Sequence, residues 1–127
     1  MRLLLDTNIL IALTPRQYPT LSSRIKTAIR DTETTLFASV ASLWEIAIKT
    51  RIGRLTIGFS PVEFARFIDD AGVALLPIGR DHVLAELDLE PRTRDPFDRL
   101  LLAQCRVEGL RLVTLDRVLA AHPLAWR

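Results

Sequence analysis

The chain has 127 residues, 49% hydrophobic and 25% charged, with 17 basic against 15 acidic side chains and a net charge of +2. That length implies a single domain spanning 1–127, and the balance of apolar and charged residues excludes a disordered chain. Arg, Asp or Lys interrupts every apolar run before it reaches membrane-spanning length, and the stretch before Thr7-Asn8 is too short for a secretory leader, so the expected location is the cytoplasm.

In chain order, Arg2–Leu5 is a predicted strand, and Asn8–Leu13 continues as a short helix that Thr14-Pro15 stops. A loop follows over Pro15–Pro19. Ile25, Ala28 and Ile29 recur at helical spacing within a helix over Ser22–Ile29. Thr35–Ala38 is a strand, and Ser39 caps a helix from Val40 to about Thr50 that ends at Gly53. Ser60 at the N-cap, Pro61 at N1 and Glu63 at N3 open another helix, which runs to Gly72. Val73–Pro77 is a strand, Asp81–Leu87 a helix and Glu90–Asp95 a polar loop. Pro96 begins the last long helix, stopped by Gly109, and Arg111–Leu115 is a strand ending at Asp116. The lone cysteine, Cys105, lies among Leu101, Leu102 and Ala103 and reads as a buried structural thiol. Strands alternating with helices, without repeats or linkers, predict an α/β sandwich with a mainly parallel sheet.

Four acids stand out against this frame. Asp6 and Asp116 each follow an apolar strand, and the C-terminal edge of a parallel sheet is where such folds place their chemistry. Either residue also suits the N-cap of the next helix. Glu45 is the only acid on a helix apolar almost all the way round, which predicts burial and demands a partner; the competing reading is a surface ion pair with Lys49 at i+4. In Arg94-Asp95-Pro96-Phe97-Asp98-Arg99, Asp95 is the N-cap. Asp98 lies one turn in, where the helix dipole is expected to lower its pKa. Four carboxylates converging on one site would bind a hard cation and support phosphate chemistry.

If that quartet is internal, the remaining surface carries 17 basic against 11 acidic residues. All the basic residues but Lys26 and Lys49 are arginine. Arginine recognises phosphate in a bidentate way and so favours a nucleic-acid partner, while a genomic preference for Arg codons explains the bias equally well. His82 and His122 fall in predicted surface helices or turns, which disfavours histidine-pair chemistry.

Leu5-Asp6-Thr7-Asn8, Ser42-Leu43-Trp44-Glu45-Ile46-Ala47-Ile48-Lys49, the run from Asp95 to Gln104, and Leu112-Val113-Thr114-Leu115-Asp116 together resemble the PIN-domain family. They look in particular like the VapC-type toxins of bacterial toxin–antitoxin pairs. The resemblance spans essentially the whole chain in the right order. It implies a three-layer α/β/α sandwich and an Mg²⁺- or Mn²⁺-dependent endoribonuclease. It also implies a homodimer and an inhibitory antitoxin partner forming hetero-oligomers with it. By position the family's acidic quartet is Asp6, Glu45, Asp98 and Asp116. On that reading Asp6 and Asp98 bind the ion directly, while Glu45 and Asp116 complete the shell through water or hold a second ion. Thr114 either orients a water or is a plain strand threonine. Arg99 and Arg117 either grip flanking phosphates or neutralise their acidic neighbours.

Three other functions compete. An aspartyl-nucleophile phosphohydrolase normally carries an acid two residues after the first, where this chain has Asn8. A receiver-type binding module wants a lysine after its last strand, where Arg117-Val118 stands. A PIN fold that binds RNA without turnover is compatible with the residues but does not need the whole quartet. Trp44, Leu55, Ile57, Phe59, Val62, Phe64 and Phe67 either line a groove for an antitoxin segment or belong to the core.

Overall fold

A computed structural model describes residues 1–127. The elements are β1 (Arg2–Leu5), α1 (Thr7–Ala12), α2 (Ser23–Arg30), β2 (Thr35–Ser39), α3 (Val40–Arg51), α4 (Pro61–Asp70), β3 (Ala74–Leu76), α5 (Arg80–Leu84), α6 (Pro96–Glu108), β4 (Arg111–Val113) and α7 (Arg117–Ala120), with a 3₁₀ turn at Tyr18–Thr20. The four strands form one sheet in the order β3-β2-β1-β4. Every pairing is parallel, Leu3 standing opposite Leu36 and Leu4 opposite Leu112.

Side-chain alternation along the strands splits the core in two. Leu3 and Leu5 join Ile9, Ile46, Phe64 and Ile68 on the face covered by α1 to α4. Leu4 and Leu112 join Leu101, Leu102 and Cys105 on the face covered by α6. The result is the three-layer α/β/α sandwich expected, and its sheet is wholly parallel.

Local signals hold where the chemistry is local. Ser39 caps α3 through the Ala41 N–H, and Ser60 with Glu63 forms a reciprocal capping box. Gly109 ends α6 with φ +70°, a backbone that an L side chain adopts only under strain. No helix is long and apolar enough to cross a membrane.

Four expectations are corrected. The last strand stops at Val113 rather than running on to Leu115. Thr114 Oγ1 accepts the Asp116 N–H at 3.0 Å, and this turn peels the backbone off the sheet. The helix expected over Asp81–Leu87 covers Arg80–Leu84, because Ala85 is already extended; Leu87 then drops into the α6-side core. The α3 helix is not buried all round, since Trp44 is 61% exposed. His82 and His122 are buried rather than superficial, because each is held by partners from distant segments.

Candidate functional site

Parallel strands that share a direction deliver their following residues to one edge, and three of the four acids arrive there that way. Asp6 follows β1, Asp116 follows β4 after the Thr114 turn, and Glu45 lies in the second turn of α3, directly after β2. Asp98 comes from the first turn of α6. These acids act on one another electrostatically. Glu45 and Asp116 both make the Asp6 carboxylate harder to ionise, and Asp6 and Asp116 do the same to Asp98.

Asp6 is buried. Its Oδ1 accepts the Thr7 N–H at 2.8 Å and its Oδ2 accepts the Thr114 hydroxyl at 2.6 Å. Burial pushes its pKa up, and those two hydrogen bonds offset only part of the shift. Asp98 is pushed up to about 6, again chiefly by burial, with Asp95, Asp6 and Asp116 adding to a hydrogen-bonded environment that otherwise favours the anion. The lowering expected from the α6 dipole does not prevail, because desolvation of a carboxylate among like charges outweighs one helix terminus. Thr93 donates to Asp98 Oδ2 at 3.0 Å and accepts the Asp95 N–H at 3.1 Å.

Glu45 satisfies both of its competing readings. It is buried, and Lys49 Nζ lies 2.7 Å from its Oε2. Thr7 Oγ1 stands 2.8 Å from Glu45 Oε1 and 2.9 Å from Ser42 Oγ. With one proton to give, Thr7 donates to the carboxylate and accepts from Ser42. Asp116 is exposed and caps α7, its Oδ1 accepting the Val118 and Leu119 N–H groups at 2.8 and 3.1 Å. Asp95 caps α6, as expected, its Oδ1 accepting the Phe97 N–H.

The acids act on one another without closing a cage: no three carboxylates, imidazoles or thiols converge closely enough to chelate an ion. Their oxygens are turned to hydroxyls, backbone N–H groups and Lys49 instead. Arg99 does not serve these acids, because its guanidinium bonds Glu90 and the Ala85 carbonyl. Trp44 and Phe97, each one residue before a candidate acid, pack edge to face at 5.6 Å and tie α3 to α6. The polar residues that sequence reasoning missed are Thr7, Ser42 and Thr93, and Thr114 proves to be more than a strand threonine. Thr7 and Thr114 stand one and two residues from an acid, but their bonds to Asp6 and Glu45 join distant parts of the chain.

The family model for the PIN domain matches residues 3–123. The chain belongs to the PIN-domain family. Two solved structures resemble this PIN domain at low identity. A toxin–antitoxin complex from Klebsiella pneumoniae aligns with a TM-score of 0.61 and 19% identity, covering 98% of this chain and 95% of that one. VapBC2 from Rickettsia felis, bound to a DNA fragment from its promoter, aligns with a TM-score of 0.62 and 16% identity, covering 98% and 96%. A search of curated proteins gives no match.

The donor chemistry of this PIN domain fits a hard divalent cation. Every candidate ligand atom is a carboxylate oxygen, the type that Mg²⁺ and Mn²⁺ prefer. Burial first, and neighbouring acids second, raise the pKa of two of those carboxylates, Asp6 and Asp98, a shift that an added positive charge would oppose.

Proposed function

We propose that this PIN domain, a single ribonuclease unit over 1–127, is an Mg²⁺- or Mn²⁺-dependent endoribonuclease that hydrolyses RNA phosphodiester bonds as the toxin of a toxin–antitoxin pair. The observation that carries the reading is the burial of Asp6 and the half-burial of Asp98 near like charges at the C-terminal edge of a parallel sheet. Such an arrangement is costly to fold and useful only when a cation arrives.

Asp6 and Asp98 would hold the ion directly, with Glu45 and Asp116 acting through water. When bound, the ion supplies charge neutralisation at the scissile phosphate and a lowered pKa for water. The chain's own part is to hold the acids in place. Thr114 orients Asp6, Thr93 orients Asp98, and Thr7 orients Glu45. The test is cleavage of RNA by the purified chain in Mg²⁺ or Mn²⁺, in EDTA, and with Asp6→Asn. Loss under both controls supports the assignment, whereas cleavage that survives both overturns it.

The toxin role draws support from the PIN membership and from neighbours that are themselves toxin–antitoxin complexes. A cavity of about 650 Å³ between Thr14–Gln17 and Thr56–Phe59 offers an antitoxin segment a seat beside Arg16, Ile57 and Phe59. Phe64 is excluded from that seat because it is fully buried core. The same reading includes a homodimer, which the family resemblance implies. Expression of the chain alone should arrest growth, and co-expression of its cognate antitoxin should restore it; growth unaffected by an active enzyme would refute the toxin role.

A further inference from the structure

Trp44 and Phe97 form an aromatic pair that belongs to neither half of the core. Their rings meet edge to face at 5.6 Å across α3 and α6, and Trp44 remains 61% exposed. Neither ring packs into either core layer. The other aromatics that the sequence offers for a groove behave differently. Phe59, Phe64 and Phe67 lie against one another and against the core on the side of α1 to α4, as do Leu55 and Ile57. Trp44 is thus an indole on a helix, braced by Phe97, with ring surface open to solvent.

Its position is as distinctive as its exposure. The helices α3 and α6 carry Glu45 and Asp98, and each ring stands one residue before its acid. The loop leading into α6 adds the exposed Arg92 and Arg94. Arg94 precedes Phe97 by three residues, so the chain holds the two within about 11 Å. Arg99 and Arg106, further on, are paired with Glu90 and Asp88, whereas Arg92 and Arg94 have no acidic partner. Single-stranded RNA is recognised by this combination: bases stack on aromatic side chains while arginines take the phosphates. The centre of a protein–protein contact is depleted of charge. Here Arg92, Arg94, Asp95, Asp98 and Arg99 put five charges into the eight positions around Phe97.

We infer that Trp44 is a base-stacking platform for single-stranded RNA, holding one base on its open ring surface while Arg92 and Arg94 take neighbouring phosphates. The inference rests on the RNA reading above and narrows it to a substrate with an unpaired base free to leave its stack. A base inside a duplex is already stacked on both faces and cannot use the indole, so the platform selects single strands, loops and bulges. The brace from Phe97 holds the ring in place before the base arrives, which lowers the ordering cost of binding.

The test is fluorescence anisotropy of a labelled, unstructured RNA titrated with the full chain, in EDTA and in Ca²⁺. Calorimetry of inorganic polyphosphate, which has the charge but no bases, runs beside it. Trp44→Ala should bind RNA about tenfold more weakly than wild type and polyphosphate as wild type does. Trp44→Phe, which keeps a ring, should retain most of the RNA affinity. RNA should quench the emission of wild type more than that of W44F, whose one remaining tryptophan is Trp126. Arg94→Ala should weaken both ligands alike. If W44A loses RNA and polyphosphate together, the indole only braces α6; if it binds RNA as wild type does, no base uses the ring. Either result overturns this inference alone. A W44A chain that binds RNA normally but sediments as a smaller particle assigns the indole to a contact between protein chains, and overturns it too. No RNA binding by wild type in either buffer overturns the RNA reading, and this inference with it.

Discussion

Two sets of polar side chains are buried in this fold, and they are partnered in opposite ways. On the side of the sheet covered by α5 and α6, His82 Nδ1 accepts the Gly79 N–H at 2.9 Å and its Nε2 faces Glu108 Oε2 at 2.7 Å. His122 does the same with the Leu124 N–H at 3.1 Å and the Leu89 carbonyl at 2.8 Å. Each ring thus has one nitrogen accepting from a backbone donor and the other donating to an oxygen, which fixes the tautomer and recovers the cost of burial on the spot. At the C-terminal edge of the sheet, Asp6 is buried and Asp98 half-buried near other acids, and threonine hydroxyls recover only part of the cost. The histidines pin loops to the fold. Asp6 and Asp98 also accept hydrogen bonds from Thr7, Thr114 and Thr93, but those bonds leave part of the cost unrecovered, a pattern more often found at functional sites than at structural ones.

That contrast is broken most sharply by exchanging a member of each set. Asp6→Asn should lower metal-dependent RNA cleavage by at least ~100-fold, since even partners that only orient a metal ligand are worth about 10–100-fold. The melting temperature in EDTA should hold or rise. His82→Leu should do the reverse. It leaves the Gly79 N–H and the Glu108 carboxylate unpartnered, which costs about 1–3 kcal/mol and lowers the melting temperature by several degrees. Cleavage per folded molecule should be unchanged. A His82 variant that keeps its stability but loses cleavage would reverse the assignment of the two sets.

Thr114→Val sharpens the comparison inside the acid set. Valine keeps the shape of threonine but removes the proton given to Asp6 Oδ2. Mn²⁺ affinity, read by calorimetry, should fall about tenfold, and losing the bonds to Asp6 and to the Asp116 N–H should lower the melting temperature by several degrees. An unaltered isotherm would mean that Asp6 needs no brace.

The contrast also explains what could be read from the amino-acid order. Caps and stops such as Ser39, the Ser60–Glu63 pair and Gly109 are decided within one helical turn, so residue type and spacing suffice. The candidate acids were legible because a strand-end aspartate and a lone acid on an apolar helix are local anomalies. Their partners were not. The Thr114–Asp6 bond spans 108 positions, and His82–Glu108 and His122–Leu89 span 26 and 33. No periodicity signals contacts at that range, so the histidines looked superficial and Thr114 looked like an ordinary strand residue. The expected depression of the Asp98 pKa failed for the same reason: the helix dipole is visible in sequence, whereas the burial of the carboxyl and the acids brought in by β1 and by the turn after β4 are not.

The smallest effect tests the acids at their weakest point, the metal-free state. Asp98 titrates near 6 in the folded chain and near ~3.9 when unfolded. Between those values the folded chain holds more protons than the unfolded one, so stability must fall as pH rises. The contribution of the neutral carboxyl is fully present below pH ~4 and is lost as pH passes through about 6. Asp98 is only half-buried, so solvent screening keeps the shift in melting temperature to a few degrees. Asp98→Asn, which cannot ionise, should flatten that part of the pH–stability curve in EDTA and match or exceed wild type at pH 7. Added Mn²⁺ should then invert the order, because an ion that binds only the folded wild type stabilises it in proportion to the logarithm of its concentration, while the Asn variant gains little. If Asp98→Asn instead melts well below wild type in EDTA at pH 7, Asp98 belongs with the histidines as a structural anchor, and the division between the two sets fails at that residue.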